Sequence, residues 1–199
     1  MDLDALVNLT GIAFAASWTP GPNTVMLASS GATFGWRRTL PHAFGITLGF
    51  PVMLMIVALG FGQIFLVVPI LATVMAWIGF GVMIWLAWRI ARARPGGGGQ
   101  RASRPLSFLQ ASAFQWVNPK AWAMAIGVGG AFITADAPLR QALIAGAVFM
   151  FAGLSATQGW ALFGTAIGRF LGQGNRLAIF NAAMGLLLAA CAVWMLLSR

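Results

Sequence analysis

The chain has 199 residues, 60% of them hydrophobic and 8% charged, with a mean hydropathy of +0.86. Soluble domains carry about a quarter charged residues, so twelve basic and three acidic side chains cannot wet a surface of this size, and a soluble globule is excluded. In a soluble protein the net charge of +9 would point to nucleic acid; here the basic residues lie between apolar runs, where they mark cytoplasmic loops, and no nucleic-acid partner is expected.

Read in chain order, the sequence predicts an all-α membrane protein with six transmembrane helices. The opening Met1-Asp2-Leu3-Asp4 is acidic where a signal peptide is basic, so the first apolar run is expected to remain as a helix. That first span runs from Ala5 to about Ser29 and is interrupted by Thr19-Pro20-Gly21-Pro22-Asn23. After Arg37 and Arg38, the second span covers His42 to Gly62 and the third Leu71 to Trp88. A hydrophilic linker over 89–105 follows, with five arginines and the run Gly96 to Gly99, a flexible composition. The fourth span, Leu106 to Ile133, is interrupted by Asn118-Pro119-Lys120. The fifth is Gln141 to Ile167 and the sixth Leu177 to Leu197.

Loops one, three and five hold the arginine excess, which predicts that they face the cytoplasm and that both termini face the periplasm. The whole chain then reads as one polytopic domain: a first three-helix half over 1–88, the basic linker over 89–105, and a second half over 106–199. Each half opens with a broken span. Three spans per half make the second half enter from the opposite side, the logic of two inverted repeats with broken helices one and four.

The two breaks are the places where chemistry can sit. Prolines 20 and 22 around Gly21 open the first helix, freeing carbonyls before the break and N–H groups after it, and Asn23 is placed to cap the second half-helix. Such groups are costly in lipid unless they line a cavity or meet protein partners. A kink without function is the competing reading. Lys120 tips the balance: an ammonium flanked by apolar stretches, beside Asn118 and Pro119, forms a positive, carboxylate-friendly place. Snorkelling to an interface is its bland alternative.

Other polar residues near the breaks (Ser17, Thr24, Gln115, Thr157) read first as helix–helix hydrogen bonders. His42, at a span end, reads as interfacial, and with no ligand cluster around it no metal site is expected. Gly31, Gly35, Gly45, Gly49, Gly164, Gly168 and Gly172 recur at four-residue spacing and predict close helix approach. Trp18, Trp116 and Trp122 adjoin the breaks, where packing is their expected role.

Taken together, Thr19-Pro20-Gly21-Pro22-Asn23, Gly45-Ile46-Thr47-Leu48-Gly49 and Asn118-Pro119-Lys120-Ala121 stand in the order found in the lysine exporter (LysE/RhtB-type) translocators, which the chain resembles over nearly its whole length. The resemblance implies export of amino acids or close derivatives across the bacterial inner membrane, driven by the proton motive force, with no bound cofactor. It carries substrate binding onto Pro20, Gly21, Pro22, Asn23, Asn118, Pro119 and Lys120. In one respect the chain departs from family members that export basic amino acids. Some of them place an acid near the glycine pair of the second span, and here Phe50 follows Gly49, so a neutral substrate is favoured over a basic one. The expected partners are an amino acid and the lipid bilayer, with room for a homo-oligomer. A passive small-solute channel on the same broken helices, or a non-transporting assembly factor, are the alternatives. With one His, one Cys and no acid inside a span, an intramembrane enzyme is not expected.

Overall fold

The computed structural model describes residues 1–93, 104–172 and 174–197, apart from the side chain of Leu66. Arg94, Arg101 and the Gly96–Gly99 run of the linker lie outside the described residues. Every regular element among the described residues is helical. Helices α1 (Leu3–Trp18) and α2 (Pro22–Phe34) are the two pieces of the first apolar run, α3 is Trp36–Ala58, and a 3₁₀ turn (Phe61–Gln63) and short α4 (Ile64–Val67) lead to α5 (Ile70–Ala91). Helices α6 (Phe108–Gln115) and α7 (Pro119–Phe132) are the pieces of the fourth run, followed by α8 (Pro138–Leu171) and α9 (Asn175–Leu197). Four of these, α3, α5, α8 and α9, are long and apolar enough to cross a membrane.

The surface supports a lipid environment. Large apolar side chains such as Leu109, Phe151, Ile179, Leu186 and Trp194 are each more than two-thirds exposed, a density water would not tolerate. The helices pack through glycine. A methyl group on Gly164 or Gly168 of α8 would collide with the backbone of Ala28 or Ala32 in α2. One on Gly45 or Gly49 of α3 would strike Phe108 or Ser112 in α6, so these positions bring backbones together as their spacing predicts. Gly35 and Gly172 do otherwise. Nothing lies within 4 Å of either, and each ends a helix with a positive φ (80° and 67°), a conformation that only glycine adopts without strain.

Two apolar cores result. One joins α2, α3, α5, α6 and α9 around residues such as Leu27, Met83 and Leu188. The other joins α1, α3, α7 and α8 around Leu9, Met53 and Phe149. The helix breaks lie between them. Helix α3 begins six residues earlier than the sequence suggested, which places His42 within the helix and against α2, α5 and the segment entering α6: it is 1% exposed, not interfacial.

Candidate functional site

Pro20 and Gly21 end the path of α1, and Pro22 opens α2. Proline suits the first turn of a helix, where its missing N–H is no loss. The capping oxygen at this terminus belongs to Thr24, whose Oγ1 accepts from Gly21 N (2.8 Å). Asn23 therefore does not cap α2, contrary to expectation. Its amide crosses to the other break: Asn23 Nδ2 donates to Gln115 Oε1 (2.9 Å), and Gln115 Nε2 returns a longer bond to Asn23 Oδ1 (3.3 Å). The backbone N–H groups of Asn23 and Thr24 have no partner among the described residues. Helix α2 thus presents open donors at its positive end.

At the second break the terminus is closed. Asn118 Oδ1 accepts from Lys120 N (3.1 Å), capping α7, and Trp122 Nε1 donates to the carbonyl of Trp116 (2.7 Å). Trp116 and Trp122 meet edge to face at 6.0 Å. They secure the break from outside and do not face the cavity between the halves. Lys120, which borders both that cavity and the outer crevice beside Cys191, reaches the first break: its Nζ donates to the carbonyl of Thr19 (2.8 Å), one of the acceptors that the first break sets free. A Cβ on Gly21 would sit 3.2 Å from Lys120 Cδ and 3.3 Å from Nζ, so only glycine leaves the lysine its present place.

A cavity of about 600 Å³, mouth included, lies against both breaks. Gly21, Asn23, Asn118 and Lys120 line it. Pro20, Pro22 and Pro119 do not: they border outer crevices, Pro20 and Pro22 on the side of Cys191 and Trp194, Pro119 beside Phe65 and Trp122. The prolines shape the breaks, and the residues between them form the wall. Five further polar residues line the wall: Ser17, Thr24, Gln115 and Thr157, which read first as helix–helix bonders in the sequence, and Thr47, which stands there only within the glycine motif over 45–49. Thr24 and Gln115 are engaged as described. Thr47 of α3 and Thr157 of α8 share a buried hydrogen bond (2.9 Å). Pro51 lies inside α3 and has no N–H to offer, so the carbonyl of Thr47, one turn earlier, loses its helical donor. The pairing of Thr47 with Thr157 spans 110 residues and left no local signal; Pro51 in an apolar helix was a signal that could have been used. Phe50 and Phe149 meet edge to face at 5.3 Å at one side of the cavity.

The arrangement offers one ammonium, two open N–H donors, amide and hydroxyl groups, and no carboxylate. The three acids of the chain are Asp2, Asp4 and Asp136, all at helix ends away from the breaks.

Comparison with known proteins gives this site a context. The family model described as LysE type translocator matches residues 14–199. The chain is 30% identical over 197 residues to a cysteine/O-acetylserine efflux protein of Shigella flexneri serotype 5b (strain 8401), covering 93% of this chain and 98% of the relative. It is 31% identical over 179 residues to the protein so named from Escherichia coli (strain K12), covering 88% and 89%. No solved structure matches the chain. The chain belongs to the LysE type translocator family, a family of transporters and not of enzymes.

Proposed function

We propose that this protein exports a neutral amino acid or a close derivative across the bacterial inner membrane by alternating access, with the substrate held in the cavity between the two breaks. The observation that carries the reading is the bond from Lys120 Nζ to the Thr19 carbonyl, which ties one broken helix to the other beside a largely apolar cavity that holds a few polar groups. The relatives named as cysteine/O-acetylserine efflux proteins favour a small, uncharged side chain. A wall without acid agrees, because a second positive charge on the substrate would find no counter-ion there.

In this reading the substrate carboxylate meets the open N–H groups of Asn23 and Thr24, with Lys120 beside them. Helix α7 offers less, since Asn118 already fills its terminus. The substrate ammonium takes carbonyl oxygen: that of Thr47, left without a helical donor by Pro51, or that of Thr19 once Lys120 turns to the carboxylate. Lys120 is then a bolt that substrate draws. Without substrate it holds the halves together, and with substrate it releases Thr19 and lets them rock.

Six crossings arranged as inverted repeats fit the packing. Helices α6 and α7 together extend about 33 Å at 1.5 Å per residue, enough for a hydrocarbon core of about 30 Å. The first span packs on the fifth and the fourth on the second, the exchange that a two-fold axis in the membrane plane produces. Coupling to the proton motive force belongs to this proposal. Efflux from cells preloaded with labelled cysteine or O-acetylserine tests it. Expression of the intact chain is expected to give saturable export, abolished by Lys120→Ala at equal membrane abundance; unsaturable flux would mean a channel, and undiminished export by the variant would remove the site.

A further inference from the structure

A second cavity lies at the other side of the apolar core from the breaks, between α2, α3, α5 and the segment entering α6. His42 lines it. The ring is 1% exposed, and neither Nδ1 nor Nε2 has a hydrogen-bond partner. Two guanidinium groups, Arg89 and Arg104, share the wall. Arg89 stacks on Trp85 (4.8 Å) and donates to the Arg104 carbonyl (3.3 Å). No ion pair to either arginine exists among the described residues, and no acid lies near them in sequence. The hydroxyls in the wall are already occupied: Ser29 donates to Asn181 and Ser30 pairs with Thr39. The cavity therefore holds surplus donors and positive charge, a buried ring that lacks a partner, and apolar walls of Met26, Leu86 and Leu106.

We propose that this cavity is a second oxyanion site, which takes the carboxylate of the transported solute at the basic-loop end of the molecule before it reaches the breaks. Its role as a staging site rests on the export reading above. A carboxylate supplies acceptors to both guanidinium groups and to one N–H of His42, the groups that lack them. Helix α2 links the two sites: its first residues wall the break cavity, and Met26, Ser29 and Ser30 wall this one. A phosphate headgroup of a lipid has related chemistry, and the test separates the two.

The test uses the purified full-length protein carrying Lys120→Ala, in nanodiscs of phosphatidylcholine, so that the ammonium of the break cavity is absent. The probe is propionate, a carboxylate without an ammonium group, and the readout is the rise in thermal unfolding temperature with concentration. Saturable stabilisation is expected. Arg104→Gln and His42→Leu are each expected to weaken the apparent affinity about tenfold, roughly the loss of one charge-assisted bond, whereas Arg38→Gln leaves it unchanged. Arg104 is exposed, so its variant folds even if the His42 variant does not. Equal affinity in Arg104→Gln overturns the proposal. So does stabilisation by phosphatidylglycerol in the disc without any response to propionate, which would assign the cavity to lipid phosphate. The efflux assay reads cells and this titration reads purified protein, so failure of the export reading and failure of this site are told apart.

Discussion

Lys120 makes one charged hydrogen bond from the second break to the first, and that single bond has two consequences. It satisfies the Thr19 carbonyl, which has left the helical ladder where α1 ends, and it keeps a cation beside the open end of α2. Lys120→Met keeps the stem and removes the charge. We expect efflux to fall about tenfold or more, since hydrogen bonds to charged groups contribute roughly 1.5–3 kcal/mol, with membrane abundance near normal. Normal efflux by this variant would show that the ammonium is only a strut. The amide pair behaves differently. Gln115 is fully buried, so Asn23→Ala leaves its Oε1 without a donor, although Nε2 keeps the Ala111 carbonyl (2.9 Å), and Gln115→Ala removes the partner of the Asn23 amide. Each single change is expected to cost about 1–3 kcal/mol of stability, and the double variant less than their sum, because nothing is then left unpaired. Additive losses in detergent-solubilised thermal unfolding would show that the pair carries no coupling. Lys120, Asn118 and Asn23 were legible in the sequence because a polar residue in an apolar run is conspicuous. The role of Asn23 was not. Capping is a local rule, and the partner it prefers lies 92 residues away.

At the level of helices, glycine decides what each surface does. Gly164 and Gly153 lie on the same helix, eleven residues apart, and face opposite demands. A methyl on Gly164 meets the backbone of Ala28, which cannot yield, whereas nothing lies within 4 Å of a Cβ on Gly153, which borders the break cavity. Gly164→Ala is therefore expected to cost about 1–3 kcal/mol or more by overpacking and to reduce the amount of protein recovered from membranes. Gly153→Leu is expected to leave the thermal unfolding temperature nearly unchanged and to block export by filling the space the substrate needs. Export by Gly153→Leu at the parental rate would move the substrate path elsewhere. Helix limits were read well where Pro-Gly or Asn-Pro interrupts an apolar run, because proline enforces its break regardless of context. They were read less well at Trp36–Leu40 and around 59–69, where weakly polar turns are tolerated at a membrane edge and composition alone sets no boundary.

For the molecule as a whole, the distribution of charge sets which way it faces. The arginines of loops one and five gather where α2 ends, α8 ends and α9 begins, and the described linker residues Arg89, Arg92 and Arg104 join them there. Helix α8 runs beside α2 in the same direction, with Gly168 on Ala32, so Arg37 and Arg38 lie near its C-terminal end while Asp136 precedes its first turn. At 1.5 Å per residue its 34 residues extend about 51 Å, more than a hydrocarbon core, and put those positions on opposite faces of the bilayer. The single cysteine makes the orientation accessible to measurement, because Cys191→Ser yields a cysteine-less chain. In that background Asp136→Cys is expected to react with a membrane-impermeant maleimide added to intact spheroplasts, and Arg38→Cys only after the membrane is opened. Both native residues are exposed, so a failure to react reports sidedness and not burial. The opposite pattern would invert the molecule. The oxyanion cavity of His42 and Arg104 would then open to the periplasm, where exported solute leaves, and its role would change from loading the transporter to releasing its cargo.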